Sequence, residues 1–284
     1  IFAPDVSSKD FLSLGFSEKQ AITWNGWTKS PNGIILVTGP TGSGKTTTLY
    51  STLRLLATPE VNVCTVEEPI EMVEPLFNQM QVQTNIGLNF ADGIRTLMRQ
   101  DPDIIMVGEI RDIETADMAI QAALTGHLVL STLHTNDSPS AVTRLLDLGV
   151  PSYLIHSTVL GIMAQRLVRT LCPSCKAPEP IEQSKWDALV GDFKIPKPDQ
   201  VYKPVGCLEC RNTGFRGRSG IYEMLTITPA LRKLITPETD LAKLTKLAFH
   251  EGMQPLVING AEKVAAGLTT IDELLKVAPP LEIE

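Results

Sequence analysis

The octapeptide Gly39-Pro40-Thr41-Gly42-Ser43-Gly44-Lys45-Thr46 sets three glycines ahead of a lysine and a hydroxyl residue. That spacing, G-x-x-x-x-G-K-[ST], suits a polyphosphate. Glycines let the backbone turn tightly enough for successive N–H groups to point inward at an anion. Lys45 then offers a point charge to the β and γ phosphates, and the Thr46 hydroxyl offers Mg2+ a hard oxygen. The apolar run IILV (34–37) precedes the loop and the helix-like TTLYSTLRLL follows it. A strand–loop–helix unit that binds ATP with Mg2+ is therefore expected, rather than a glycine-rich turn without a ligand.

Three other polar clusters follow short apolar runs. VCTV (63–66) leads into Glu67-Glu68-Pro69-Ile70-Glu71, IIMV (104–107) into Gly108-Glu109, and LVLSTL (128–133) into His134. Short apolar runs fenced by polar residues read as buried strands, and parallel strands present ligand chemistry at their carboxyl ends. Glu109 is thus expected beside the Mg2+, directly or through a water, the alternative being a solvated carboxylate. Glu71 is the better placed to orient or deprotonate an attacking water, although spacing alone leaves Glu68 open against it. His134 either senses the γ phosphate or is satisfied structurally. Arg95, Arg99 and Arg111 either reach phosphate or pair with carboxylates. Asp103 lies at the far end of its run and caps or turns the chain with Pro102.

These residues need a scaffold, and the pattern from Pro31 to Gly149 provides one. Apolar runs, including MQVQ (80–83), alternate with capped helical segments. Asp112 caps one helix that Gly126 closes, and Ser138-Pro139 opens another that Gly149 ends. Such alternation means an α/β domain with a largely parallel sheet. The uncharged stretch Leu148–Gln165 reads as a buried helix, too polar for a membrane span. Beyond Leu171 prolines interrupt regular structure, and from Thr228 helical patterns return. The expected organisation is a linker over 1–30, the ATP-binding core over 31–170, a cysteine subdomain over 171–213 and a mainly helical domain over 214–284.

Cys172-Pro-Ser-Cys175 and Cys207-Leu-Glu-Cys210 are two C-x-x-C pairs with 31 residues between them. In a reducing compartment, paired knuckles of this kind indicate a closed tetrahedral Zn2+ site with no open position for catalysis. The alternative is a set of reduced core thiols, which is also the reading for Cys64. The segment between the pairs is rich in proline and is expected to bury little core of its own. The turn Thr213–Glu223, rich in Gly and Arg, is expected either to touch nucleotide or a neighbouring subunit or to be solvated.

A net charge of −7 over 284 residues and an aromatic content of 5% argue against a chain that coats nucleic acid. The start, IFAPDVSSKDF, carries neither a signal peptide nor an initiator Met, so a fragment or processed chain is expected.

Taken together, GPTGSGKTTTLY, TVEEPIE, LMRQDPDIIMVGEIRDIETA and GHLVLSTLHTND resemble the secretion ATPases of bacterial type II secretion and type IV pilus assembly, over nearly the whole chain. The resemblance implies a RecA-like P-loop ATPase domain with a tetracysteine zinc subdomain and a small C-terminal helical domain. It implies that Gly39–Thr46 are the Walker A loop, Glu71 the catalytic glutamate closing the Asp box, Glu109 the Walker B acid and His134 the His box. The Asp box commonly reads EDP; here it is Glu67-Glu68-Pro69, with a longer side chain at Glu68. Further implications are a homo-hexameric ring, a missing N-terminal half that supplies arginines, and weak activity of the isolated piece. The place of action would be cytoplasmic, peripheral at the inner membrane through a platform protein and other assembly partners. Retraction ATPases typically lack the cysteine segment. The alternatives are a RecA-like nucleic-acid motor, or a nucleotide-gated assembly scaffold with little turnover.

Overall fold

The structure is a computed structural model that describes residues 11–12, 14–193 and 195–280. The chain divides into two compact units. One takes the described residues up to Ala164 together with Met224–Met253, and the other takes Gln165–Glu223 with the described residues from Gln254 onward.

The first unit is built on the sheet anticipated from the apolar runs, with one shift: only Met80 and Gln81 of the MQVQ run (80–83) lie in a strand. Its strands are β1 (Gly33–Thr38), β2 (Val63–Glu67), β3 (Asn78–Gln81), β4 (Ile104–Val107) and β5 (Leu128–Leu133). Two long strands, β6 (Val159–Leu171) and β9 (Phe215–Thr226), complete the order β3-β2-β4-β5-β1-β6-β9. Pairings from β3 through β6 are parallel. Every residue of β1, β2, β4 and β5 is buried, as a parallel sheet covered on both faces requires. The register pairs Val66 with Val107, Val107 with Ser131, and Thr38 with Leu133, so β2, β4, β5 and β1 end along one edge.

The flanking helices are α1 (Glu18–Thr28), α2 (Lys45–Leu56), α3 (Phe90–Leu97), α4 (Ile113–Leu124), α5 (Ser138–Asp147) and α6 (Ser152–Thr158), with α8 (Pro229–Leu234) and α9 (Leu241–His250) from later in the chain. Asp112 caps α4 by accepting from Thr115 N at 2.8 Å, as the sequence suggested. Asp137 caps α5 by accepting from Ser140 N at 2.7 Å, ahead of the Ser138-Pro139 start.

The segment expected as a linker is in part an integral helix. Ser17 and Gln20 form a reciprocal capping box at the start of α1. Trp24 is fully buried and donates to Thr52 Oγ1 at 3.1 Å. Trp27 packs so closely on Gly161 that a Cβ there would meet its ring at 2.2 Å. Residues 1–10 of the expected linker lie outside the described residues. The Leu148–Gln165 stretch also differs from expectation: only Ser152–Thr158 is helical, and β6 begins at Val159. An apolar run does not by itself separate buried helix from buried strand, and Val159, Ile162 and Val168 favour the strand.

The second unit holds an antiparallel ribbon of β7 (Ala177–Glu179) and β8 (Val201–Lys203), then α7 (Gln183–Val190), α10 (Leu256–Ala265) and α11 (Ile271–Leu275). The segment between the cysteine pairs has a core after all: Trp186 of α7 is fully buried and donates to Ile195 O at 2.9 Å, with Leu189 and Val190 buried beside it. The observed units also cut across the expected boundaries, because α8 and α9 belong to the unit of the sheet, α9 packing on α5, while α10 packs on α7. Among the described residues no helix is long and apolar enough to cross a membrane.

Candidate nucleotide site and cysteine cluster

The loop between β1 and α2 takes the conformation its glycines permit. Gly39, Gly42 and Gly44 have φ of 149°, 78° and 87°, and Gly44 is the residue from which α2 starts. The N–H groups of the first turn of α2 therefore lack helical partners and face the loop. Lys45 is buried and its Nζ donates to Gly39 O at 2.8 Å and Pro40 O at 3.1 Å. Ser43 Oγ is buried and has no hydrogen-bond partner among the described residues. A buried hydroxyl left so is costly unless a ligand satisfies it. A Cβ on Gly42 would meet nothing within 4 Å, so the loop opens onto free space. These features fit a bound phosphate.

Along the same sheet edge the carboxyl ends of β2, β4 and β5 bring four expected residues together, Arg111 linking Glu68 to Glu109 and Glu109 meeting His134. Arg111 donates to Glu68 Oε2 at 2.9 Å and to Glu109 Oε1 at 2.5 Å. His134 Nε2 lies 3.4 Å from the other Glu109 oxygen. Burial alone would raise the Glu109 pKa; Arg111, with a smaller effect from His134, more than reverses this and holds it below the ordinary carboxylate value. Glu109 also raises the pKa of Arg111. The strand ends themselves are tied: Ser131 Oγ donates to Val107 O at 2.8 Å and Thr132 Oγ1 to Gly108 O at 2.7 Å. Thr135 N donates to Thr38 Oγ1 at 2.8 Å, which fixes the chain after His134 against the last residue of β1.

The remaining candidates divide. Glu71 is exposed on the loop after β2, has no hydrogen-bond or ion-pair partner among the described residues, and stands outside the Glu68–Arg111–Glu109–His134 chain. Arg95 pairs with Asp92 at 2.6 Å, the surface pairing that was one of its two readings. Arg99 precedes β4 at the opposite edge, where Asp103 Oδ2 accepts from Asn62 N at 2.7 Å. Two residues went unnoticed in the sequence. Tyr50 and Gln79 bind the buried carboxylate of Glu67, which had been grouped with the other acids of its cluster. Gln79 reaches it because β3 pairs beside β2, and Tyr50 because it projects from α2.

In the second unit Cys172, Cys175, Cys207 and Cys210 place their sulfurs within 4.8 Å of one another. Neighbouring sulfurs lie 3.9 Å (172–207), 3.8 Å (175–210) and 3.7 Å (207–210) apart. Four thiolates about 2.3 Å from one tetrahedral ion sit about 3.8 Å from each other, so the donor set fits Zn2+. The Gly206 N–H donates to Cys175 Sγ at 3.3 Å, and those of Cys207 and Gly214 to Cys210 Sγ at 3.1 and 3.2 Å. Burial works against the Cys210 thiolate, but those two N–H donors together with the Cys207 and Cys175 thiols outweigh it and bring its pKa down to about 6. The segment expected as a turn over Thr213–Glu223 is strand from Phe215 onward, within β9, and Arg216 pairs with Glu209 at 3.6 Å.

Comparison with known proteins places this architecture. Residues 1–276 match the family model described as Type II/IV secretion system protein. The type IV pilus assembly ATPase TfpB of Acinetobacter baylyi is 58% identical over 98% of this chain and 48% of its own length. The type II secretion system ATPase E of Vibrio cholerae is 47% identical over 94% of this chain and 53% of its own. The chain thus spans about half the length of the curated relatives it matches. Among solved structures, the pilus retraction motor PilT with bound ADP superposes with a TM-score of 0.67 at 28% identity, over 98% of this chain and 69% of that one. The Legionella pneumophila ATPase DotB gives 0.68 at 25% identity, over 94% and 64%. The chain belongs to the Type II/IV secretion system protein family.

Proposed function

We propose that this chain is the ATP-hydrolysing part of a motor that drives assembly of a type IV pilus or of a type II secretion system. One observation carries the reading: the cradle with the unpartnered Ser43 hydroxyl opens on the sheet edge where Glu109 and His134 meet. The ADP held by the related retraction motor supports a nucleotide as ligand.

In this reading the loop amides, Ser43 and Lys45 bind the β and γ phosphates, Lys45 exchanging its two loop carbonyls for phosphate oxygens. Thr46 and Glu109 would hold Mg2+, which when bound neutralises charge on the transferring phosphate. Glu71 accepts the proton of the attacking water, and His134 reports on the γ phosphate. Arg111 keeps Glu109 ionised and Glu68 in place. The four cysteines hold a structural Zn2+. The first unit is the RecA-like core and the second carries the metal subdomain. The assembled protein is a homo-hexamer, peripheral at the cytoplasmic face of the inner membrane, working against a platform protein.

Steady-state ATP hydrolysis by the full chain with single substitutions tests the roles. Glu71→Gln is expected to bind MgATP and to lose roughly 100-fold or more in kcat, the usual share of a general base. Glu109→Gln is expected to shift the Mg2+ dependence as well. Equal, mild losses for both would contradict the two assignments.

A further inference from the structure

We propose that Tyr50 is a positioning residue for hydrolysis: from helix α2 it holds the loop that carries Glu71, and so couples the cradle end of that helix to the water-activating carboxylate. The proposal rests on the role given to Glu71 above.

Glu71 has no side-chain partner of its own, so its place must come from its backbone. Both of its neighbours are held. Ile70 N donates to Gln81 Oε1 at 3.3 Å, and Met72 O accepts from Gln79 Nε2 at 2.9 Å. Two residues further on, Glu74 N donates to Gln79 Oε1 at 2.7 Å, and Glu74 Oε2 accepts from Arg54 Nε at 2.5 Å. Tyr50 is the junction of this lattice. Its hydroxyl donates to Glu67 Oε2 at 2.6 Å, accepts from Gln79 Nε2 at 2.9 Å, and lies 3.1 Å from Met72 O. Its ring packs edge-on against Phe77, where the loop rejoins β3, at 5.7 Å between centroids.

Tyr50 is fully buried, and Glu67 is buried against it with Thr65 Oγ1 donating to its other oxygen at 2.6 Å. Burial and the neighbouring carboxylate push the phenol pKa above the ordinary tyrosine value, so it remains a proton donor at neutral pH. Thr46 and Tyr50 are four residues apart in α2 and lie on adjacent turns of one helix face. A rigid turn of helix therefore separates the residue assigned to Mg2+ from the one that anchors the Glu71 loop. Arg54, a further four residues along, fixes the same loop at Glu74.

The test is Tyr50→Phe in the full chain, which keeps the ring and removes only the hydroxyl, with Gln79→Met as a second route to the same loosening. Both are expected to lower kcat for ATP about 10- to 100-fold, the scale of a small misplacement of a reacting group, with KM for MgATP within about twofold. Tyr50→Phe added to Glu71→Gln should then cause no further loss, because the group it positions is already gone. Unchanged kcat in both folded variants, or an equal loss in the Glu71→Gln background, would overturn the positioning role. Lys45→Ala and Glu71→Gln run in the same assay separate the two levels: wild-type turnover in either would overturn the reading of the site itself, and the positioning role with it.

Discussion

Arg111 donates a guanidinium N–H to Glu109 Oε1 at 2.5 Å, and this contact holds down the pKa of the central carboxylate of the site against its burial. A second N–H reaches Glu68, so one cation spans the ends of two strands. Since β2 and β4 are adjacent and parallel, their carboxyl ends are close enough for a single side chain to bridge.

Removing the cation should therefore uncover the burial that opposes it. Glu109 has a depressed pKa in the folded protein, so its contribution to stability is present above the unfolded value and is lost as pH falls through the folded one. Arg111→Gln is expected to raise the Glu109 pKa and to remove this acid-side dependence. The change in stability at neutral pH should stay within about 1 kcal/mol, as Arg111 is more than half exposed. Carboxyl NMR titration of the two proteins reads the shift, and an unchanged Glu109 pKa would contradict the account.

The zinc assignment makes a local prediction. Full-length, reduced protein purified without chelator should contain one Zn2+ per chain. Chelation or Cys207→Ser should speed hydrogen exchange at the amides that donate to sulfur, those of Gly206, Cys207 and Gly214. Zinc-finger peptides draw about 10–16 kcal/mol of folding free energy from their metal, but this segment has the Trp186 core besides. Trp186 emission should stay that of a buried indole, and ATP binding should persist. A folded protein without stoichiometric metal by elemental analysis would refute the site.

Glu273 offers a pH test within the second unit. The Arg169 hydrogen bond, aided by Lys276, brings its pKa down to about 2. Against an ordinary glutamate value of about 4.3, the pair's stabilisation is complete above pH ~4.3 and disappears as pH falls towards 2. Glu273→Gln should lower the melting temperature at neutral pH, by an amount corresponding to about 1 kcal/mol, and the difference from wild type should vanish by about pH 2. A difference independent of pH would show that the ion pair is not its source.

How much of this was legible in the sequence depends on the range of the interactions. IILV, VCTV, IIMV and LVLSTL each became a buried strand, and their polar followers met on one edge, because alternation and strand ends are local properties. The glycines of the cradle were legible for the same reason. The order of strands was not, since β1 sits between β5 and β6 through pairings distant in the chain. That distance also hid Tyr50, which reaches Glu67 from another element, and the Arg111 bridge, one of two readings available for that side chain. Glu71 remains the residue whose sequence signal is strongest relative to its structural one: it stands alone in solvent, and its role rests on the loop that holds it.

The central claim is that Lys45 and its loop bind ATP for hydrolysis, and calorimetric titration of MgATP into the full-length protein and its Lys45→Ala variant, with turnover measured on the same samples, tests it most directly. Lys45 is the one cation within Gly39–Thr46, so the folded variant should bind MgATP at least about 100-fold more weakly, a loss of about 2.7 kcal/mol, and should not turn it over. Wild-type affinity and turnover in a folded Lys45→Ala protein would contradict the account.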